Sequence, residues 1–373
     1  MRRWRLVHTE ASCGWGGQEL RVLAEAAGMA ERGHEVWIAA PIESRIYTEA
    51  ARRGMRVAPL PLGRKSVAGL LALRAFLKMH AFDVVNTHSS TDAWLTALAR
   101  LGWREAPPMV RTRHISAPVP RNPLSAWIYR RASAQIVTTG EALRKQLLAS
   151  TGVDPQRVRS IPTGIDLSRF APGDRSAARD SLGLTPEPFT VAIVATLRSW
   201  KGHSYLVEAV AKLEGVRLLI VGDGPGRENL HHQVSTLGLS DRVKFAGHQE
   251  DVLPWMRAAD MVALPSFANE GVPQALMQAM ACGLPVVTTN VGAIGEIVRD
   301  GVEGLMVMPR NADSLAEAID RLRRDPAVRE QLGHAGLARA RERFSMGQML
   351  DAMEAVYERA LLGHARPGVA AAS

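Results

Sequence analysis

Short apolar runs alternate with longer amphipathic ones along most of this chain. A brief apolar run bounded by Gly, Pro or polar clusters predicts a strand buried on both faces, and apolar positions three and four apart predict helices. On that basis strands are expected at Arg5–Thr9, Val36–Ala40, Asp83–Thr87, Val110–Thr112, Gln135–Thr138 and Val158–Ile161. Helices are expected at Gly17–Arg32, Leu70–His80 and Glu141–Ser150. The turn-rich passage from Pro162 to Pro188 reads as a linker with a short helix around Asp174–Leu182. A second series follows, with strands at Thr190–Ala195, Arg217–Val221, Val243–Ala246, Met261–Leu264 and Pro285–Thr289, and a helix at His203–Lys212. Ser314–Leu362 reads as helical and Arg366–Ser373 as disordered. Two strand–helix series imply an α/β protein of two Rossmann-like domains, 1–165 and 166–345, with parallel sheets facing a central cleft.

Composition narrows the class. The 373 residues are 46% hydrophobic, enough for two large cores. No apolar run reaches the ~18 residues that a transmembrane helix needs. The first residues are basic but lack the apolar stretch of a signal peptide, and the two cysteines have no metal-ligand spacing, so a reducing cytoplasm is expected. The net charge of +9 is uneven: residues 1–165 hold 24 basic and 12 acidic side chains, whereas the remainder hold 22 and 25. An anionic partner for the first half would explain the excess. So would a GC-rich genome, because 40 of the 46 basic residues are Arg.

Two glycine loops follow strands. Cys13-Gly14-Trp15-Gly16-Gly17-Gln18-Glu19 opens the first helix, where Gly16 and Gly17 would let a phosphate reach the helix N-terminus. An ordinary tight turn would use the same glycines, and Glu19 breaks the G-x-G-x-x-G spacing of a dinucleotide site. Gly222, Gly224 and Gly226 alternate after a later strand; Gly224 is a candidate sugar-nucleotide contact, and a structural turn is the other reading.

The chemistry concentrates between Pro265 and Pro285. Pro265 ends a strand, and the loop through Ser266, Asn269, Glu270, Gly271 and Val272 leads to Pro273, which suits the first position of a helix. Glu270 would then sit beside unpaired helix N–H groups that can hold a diphosphate, and could accept hydrogen bonds from sugar hydroxyls. Gln274 and Gln278 share one helix face, from which Gln278 could reach a ribose. A capping carboxylate and a solvated glutamine would give the same bare pattern.

Here the sequence resembles the retaining glycosyltransferases of family 4, which have the GT-B fold. The resemblance rests on Glu270-Gly271-Val272-Pro273, on Gln278-Ala279-Met280-Ala281-Cys282-Gly283-Leu284-Pro285-Val286-Val287, on Val291-Gly292-Ala293-Ile294-Gly295-Glu296 and Asp300-Gly301-Val302-Glu303-Gly304-Leu305, and on Ile161-Pro162-Thr163-Gly164-Ile165-Asp166. It implies transfer of a hexose from a nucleotide-diphosphate sugar, which is a substrate, so no cofactor is expected. It also implies a first domain that binds the acceptor, a second that binds the donor, and a last helix, 346–365, that crosses back to the first. The family's diphosphate-binding Arg and Lys map onto Ala195-Thr196-Leu197-Arg198-Ser199-Trp200-Lys201-Gly202. Lys201 matches, but Thr196 stands at the Arg position, so Arg198 is assigned the charge. Gln278 replaces the family's second Glu, and an amide binds ribose hydroxyls more weakly than a carboxylate. His114, in Arg113-His114-Ile115-Ser116, resembles the family's active-site His, which contacts the transferred sugar; His88 is a weaker candidate. No Asp-x-Asp motif is present to hold a metal on the diphosphate, which fits the metal-independent class.

The acceptor implied by the basic first half is an anionic or lipid-linked glycan, as in lipopolysaccharide or other cell-surface polysaccharide synthesis. Arg64-Lys65 with Val67, Leu70, Leu71, Arg74, Leu77 and Lys78 would suit a helix lying on the cytoplasmic face of the inner membrane, although a stripe packed on the sheet is the favoured reading. A nucleotide-sugar epimerase of the same architecture is the rival enzyme. Nucleic-acid binding has only charge in its favour and no aromatic interleaving.

Overall fold

The computed structural model describes residues 2–114, 119–120, 122–268 and 270–364. Asn269, Ile115, Ser116 and the predicted disorder at Arg366–Ser373 lie outside the described residues. The chain forms two compact units, one of residues 1–164 together with 346–373, the other of residues 165–345.

The first unit holds seven parallel strands: β1 Arg5–Thr9, β2 Glu35–Ala40, β3 Arg56–Pro59, β4 Val84–Thr87, β5 Met109–Arg113, β6 Gln135–Thr138 and β7 Val158–Ser160, in the order β3-β2-β1-β4-β5-β6-β7. β3 escaped the sequence reading because Arg56-Val57-Ala58-Pro59 is short, begins on a charge and ends on a proline. It lies at the sheet edge, where Pro59 withholds no needed N–H. One sheet face packs Val22, Leu23 and Met29 of the helix Gly17–Glu31 with Leu350, Met353 and Tyr357 of the last helix, Met346–Leu362. Gly28 makes room for Leu350: a Cβ there would lie 2.5 Å from Leu350 Cδ1. Arg32 and His34 also hold Glu354 of the last helix, at 2.8 and 3.1 Å.

The other face packs Leu73, Phe76 and Leu77 of the helix Val67–His80. The favoured packed-stripe reading therefore holds for only part of that helix. Leu77 is buried and Leu70 packs against the core, but Val67 and Leu71 are 71% and 60% exposed.

The second unit holds six parallel strands: β8 Phe189–Val194, β9 Val216–Val221, β10 Val243–Gly247, β11 Met261–Leu264, β12 Val286–Thr289 and β13 Gly304–Val307, in the order β10-β9-β8-β11-β12-β13. Val191, Leu218, Leu219, Ile220, Val262 and Val287 are fully buried, as strands covered on both faces must be. The helical tail is three helices, Ala312–Arg324, Pro326–Arg343 and Met346–Leu362, instead of one run. The first break has a clear cause. Asp325 caps the second helix by accepting from Val328 N, and Pro326 has no N–H to continue the first.

In both sheets the strand order reverses once, between β1 and β4 and between β8 and β11. The crevice outside the carboxyl ends of such a pair is where open α/β sheets bind ligands. The candidate residues collect at these two points.

Candidate active site

In the second unit the loop after β8 carries Arg198 and Lys201, and the loop after β11 carries Glu270. Lys201 Nζ lies 2.6 Å from Glu270 Oε1, and Ser266 Oγ donates to the same oxygen at 2.5 Å. Glu270 is buried and Lys201 half-buried. The two loops are locked together by backbone contacts. Phe267 N donates to Trp200 O at 2.9 Å. Gly202 has φ +78°, and a Cβ there would lie 2.1 Å from Pro265 O. Gly292, at φ +63°, would bring a Cβ to 2.0 Å from Glu270 O. Only glycine satisfies both demands, left-handed backbone and contact with a carbonyl. The Lys-Gly and Val-Gly motifs therefore fix where Glu270 sits.

Gly271 and Val272, both half-buried, lead from Glu270 to the helix Gln274–Ala281. The expected place of Pro273 is corrected: it is the N-cap, with extended backbone (φ −74°, ψ 115°), not the first helical residue. A proline cap offers no side-chain acceptor, so the first N–H groups of this helix are not capped by it. Gln274 opens the helix, and Gln278 follows one turn later, half-buried. Arg198 is exposed, stacks over the Trp200 ring at 5.3 Å and makes no ion pair among the described residues. Gly224 is accounted for by packing. A Cβ on it would meet Leu197 N and O at 2.9 Å, and Leu197 N in turn donates to Asp223 O at 3.1 Å.

In the first unit Gly16 caps the helix Gly17–Glu31 without a side-chain acceptor. Beneath that loop, Glu10 accepts from Ser12 N at 2.8 Å and Gln18 Nε2 at 2.5 Å. Burial, then the neighbouring Asp92, pushes the Glu10 carboxyl up to about 8. Asp92 accepts from Thr9 Oγ1, His88 N and Ser89 N, each at 2.8 Å. Burial raises its carboxyl as well, against the opposing pull of Arg111.

His114 follows β5 and is half-buried. Its Nε2 lies 2.9 Å from His88 Nδ1, and His88 Nε2 lies 2.9 Å from His8 Nδ1. His8 and His88 are buried. Burial lowers all three imidazoles; for His88 the other two rings and then Arg111 and Arg21 push further, and for His114 Arg21 and Arg111 lead. His88, the weaker sequence candidate, is thus the middle of a chain that ends on His114. His8, Glu10 and Asp92 were missed by sequence reasoning. The one available signal was polarity at the carboxyl ends of apolar strands, His8 in β1 above all.

Two parallel Rossmann-like sheets, each with polar residues at a strand-order reversal, are the architecture of the GT-B fold. Residues 15–169 match the family model for Glycosyltransferase Family 4, and residues 174–339 match Glycosyl transferases group 1. The D-inositol 3-phosphate glycosyltransferase of Mycobacterium sp. (strain KMS) is 36% identical over 84% of this chain and 79% of its own length. The protein of the same name from Mycobacterium marinum is 33% identical over 93% and 82%. Among solved structures, a glycosyltransferase from Rickettsia africae superposes with a TM-score of 0.87 at 20% identity, covering 97% of this chain and 99% of its own. Anabaena HepE in complex with UDP superposes at 0.84 and 24%, covering 95% and 99%. The chain belongs to the family 4 glycosyltransferases.

Proposed function

We propose that the protein is a retaining, metal-independent hexosyltransferase that uses a nucleotide-diphosphate sugar and a phosphate-bearing acceptor. The observation that carries this reading is Glu270, buried and held by Lys201 and Ser266 beside the N-terminus of the helix Gln274–Ala281, whose proline N-cap offers no side-chain acceptor. A diphosphate fits the N–H groups of that helix, whose dipole favours negative charge. Lys201 and the exposed Arg198 would stabilise the leaving diphosphate as charge develops on it, without a metal. Glu270 would accept hydrogen bonds from sugar hydroxyls, and Gln278 would reach the ribose. In the first unit, His114 would hydrogen-bond a substrate hydroxyl.

A phosphate-bearing acceptor is favoured by the basic excess of residues 1–165 and by the relatives named D-inositol 3-phosphate glycosyltransferase. We therefore favour a phosphorylated polyol over a lipopolysaccharide glycan as the acceptor. Among the described residues no helix is long and apolar enough to cross a membrane. Our reading is a cytoplasmic enzyme that meets an anionic membrane surface through Arg64, Lys65 and the exposed Val67 and Leu71.

The test is a thermal-shift panel of UDP-, GDP-, ADP- and dTDP-sugars, followed by product analysis with and without inositol phosphate. A donor at 100 times its Kd should add about 2.7 kcal/mol of stability. No shift with any nucleotide sugar would sink the donor reading. Epimerised donor formed without acceptor would replace transfer by epimerisation.

A further inference from the structure

The three histidines of the first unit constrain one another. An uncharged imidazole has one N–H and one lone pair. The two N···N contacts of 2.9 Å are therefore hydrogen bonds only if both run in the same direction. The ring centroids are 5.2 Å apart in each pair, which with those short contacts places the rings edge to edge, as in-plane hydrogen bonds require. Two arrangements remain. Either every ring carries its proton on Nε2, leaving the lone pair of His114 Nδ1 at the half-buried end, or every ring carries it on Nδ1, leaving a lone pair on His8 Nε2 at the buried end.

The buried end decides. His8 Nε2 is enclosed without a hydrogen-bond partner, and so is Glu25 Oε2. Burial keeps His8 uncharged, and of the two charges that act on it Glu25 outweighs Arg21. Glu25 accepts hydrogen bonds at Oε1 alone, while Oε2 has only the nearby Arg21 charge. Tyr357 Oη donates to its Oε1 at 2.6 Å, Asn86 Nδ2 donates at 3.2 Å, and Arg21 Nε lies 3.8 Å from Oε2. Thr112 Oγ1 fixes the Asn86 amide by donating to Oδ1 at 2.8 Å. In the field of this carboxylate a lone pair on His8 Nε2 is disfavoured and an N–H is favoured.

We propose that Glu25, acting through His8 and His88, fixes the polarity of His114 so that its Nδ1 is a hydrogen-bond acceptor. His114 Nε2–H donates to His88 Nδ1, His88 Nε2–H donates to His8 Nδ1, and His8 Nε2–H lies in the field of the Glu25 carboxylate without a hydrogen bond to it. His8, His88 and Glu25 are positioning residues: His114 alone would touch substrate, a clause that rests on the reading above. An acceptor at that point selects a hydroxyl and rejects a phosphate or carbonyl oxygen.

The experiment reads the tautomers directly, from long-range proton–nitrogen correlations of the full chain labelled with nitrogen-15 histidine, with His114→Ala and His88→Ala assigning the signals. All three rings should show the Nε2–H form without any substrate. An Nδ1–H signal from His114 would overturn the proposal. In Glu25→Gln the amide can turn an N–H toward His8, so the chain should reverse and His114 should shift to the Nδ1–H form. Its kcat/KM for transfer should fall about tenfold, the scale of one hydrogen bond. Tyr357→Phe removes a bond to the same carboxylate but not its charge, so it should lower the melting temperature and leave the tautomers unchanged. Unchanged tautomers in Glu25→Gln, or a reversal in Tyr357→Phe, would refute the control by charge. If the tautomers are as stated but His114→Ala transfers at the full rate, the sugar contact is wrong and the polarised chain stands.

Discussion

Replacing Glu270 by Gln keeps the shape of the side chain and removes its charge. At 2.6 Å from Lys201 Nζ, the pair is worth about 6 kcal/mol of gross attraction at an effective dielectric constant of about 20. Desolvation offsets most of that attraction. Breaking a fully buried pair costs about 3–5 kcal/mol, and the Lys201 side chain is still 19% exposed, so a net cost of about 2 kcal/mol is expected. For a unit of this size that corresponds to a fall in Tm of roughly 4–8 °C. Turnover should fall much further, by about 100-fold or more, because on the proposed reading the charge also acts where the sugar reacts. Lys201→Met should destabilise by a similar amount, since it strands Glu270 in a buried site. The double variant should recover stability but not activity, because neither charge is then unpaired. Tm by differential scanning fluorimetry and release of nucleoside diphosphate would measure the two effects. A Glu270→Gln protein that turns over within twofold of the parent would refute the site assignment. Additive losses of Tm in the double variant would refute the pairing.

Other parts of the structure make equally definite demands. Gly292→Ala should nearly abolish transfer while leaving the first unit folded, because its Cβ would sit 2.0 Å from Glu270 O; kinetics with limited proteolysis would check both. Burial holds His8, His88 and His114 below the usual imidazole value of 6.5, so the unfolded chain binds more protons below pH 6.5. Their contribution is therefore present above that pH and lost as pH falls through it, and Tm should drop steeply on acidification. His88→Asn should flatten that limb. Glu10 has the opposite sign, because its folded value is raised from 4.5 to about 8. Its contribution is present below 4.5 and lost as pH rises toward 8. The Tm advantage of Glu10→Gln over the parent should thus grow across that window, and a constant difference would count against a buried, protonated Glu10.

The fold was largely legible because parallel strands buried on both faces must be apolar runs, and Leu218-Leu219-Ile220 or Val262-Ala263-Leu264 admit few other readings. Edge strands escape that constraint, which is why β3 and β13 were not read. The site in the second unit was legible because backbone geometry dictates residue type there. Gly202 and Gly292 touch carbonyl oxygens at positive φ, so the motif around Glu270 has little freedom to vary. The network behind His114 in the first unit was not legible, and the reason is physical. His8, Glu10, Glu25, His88, Asp92 and Tyr357 come from four elements and from positions up to about 350 residues apart, and no local spacing links them. Each taken alone looks like an ordinary buried polar residue. What distinguishes them is that burial raises the cost of every unmatched donor or acceptor, so each polarity is dictated by the next. Thr112 fixes Asn86, Asn86 and Tyr357 donate to Glu25, and the charge of Glu25 decides how His8 can bond. A local pattern identifies His114 as a candidate, but only the assembled network determines what His114 can recognise.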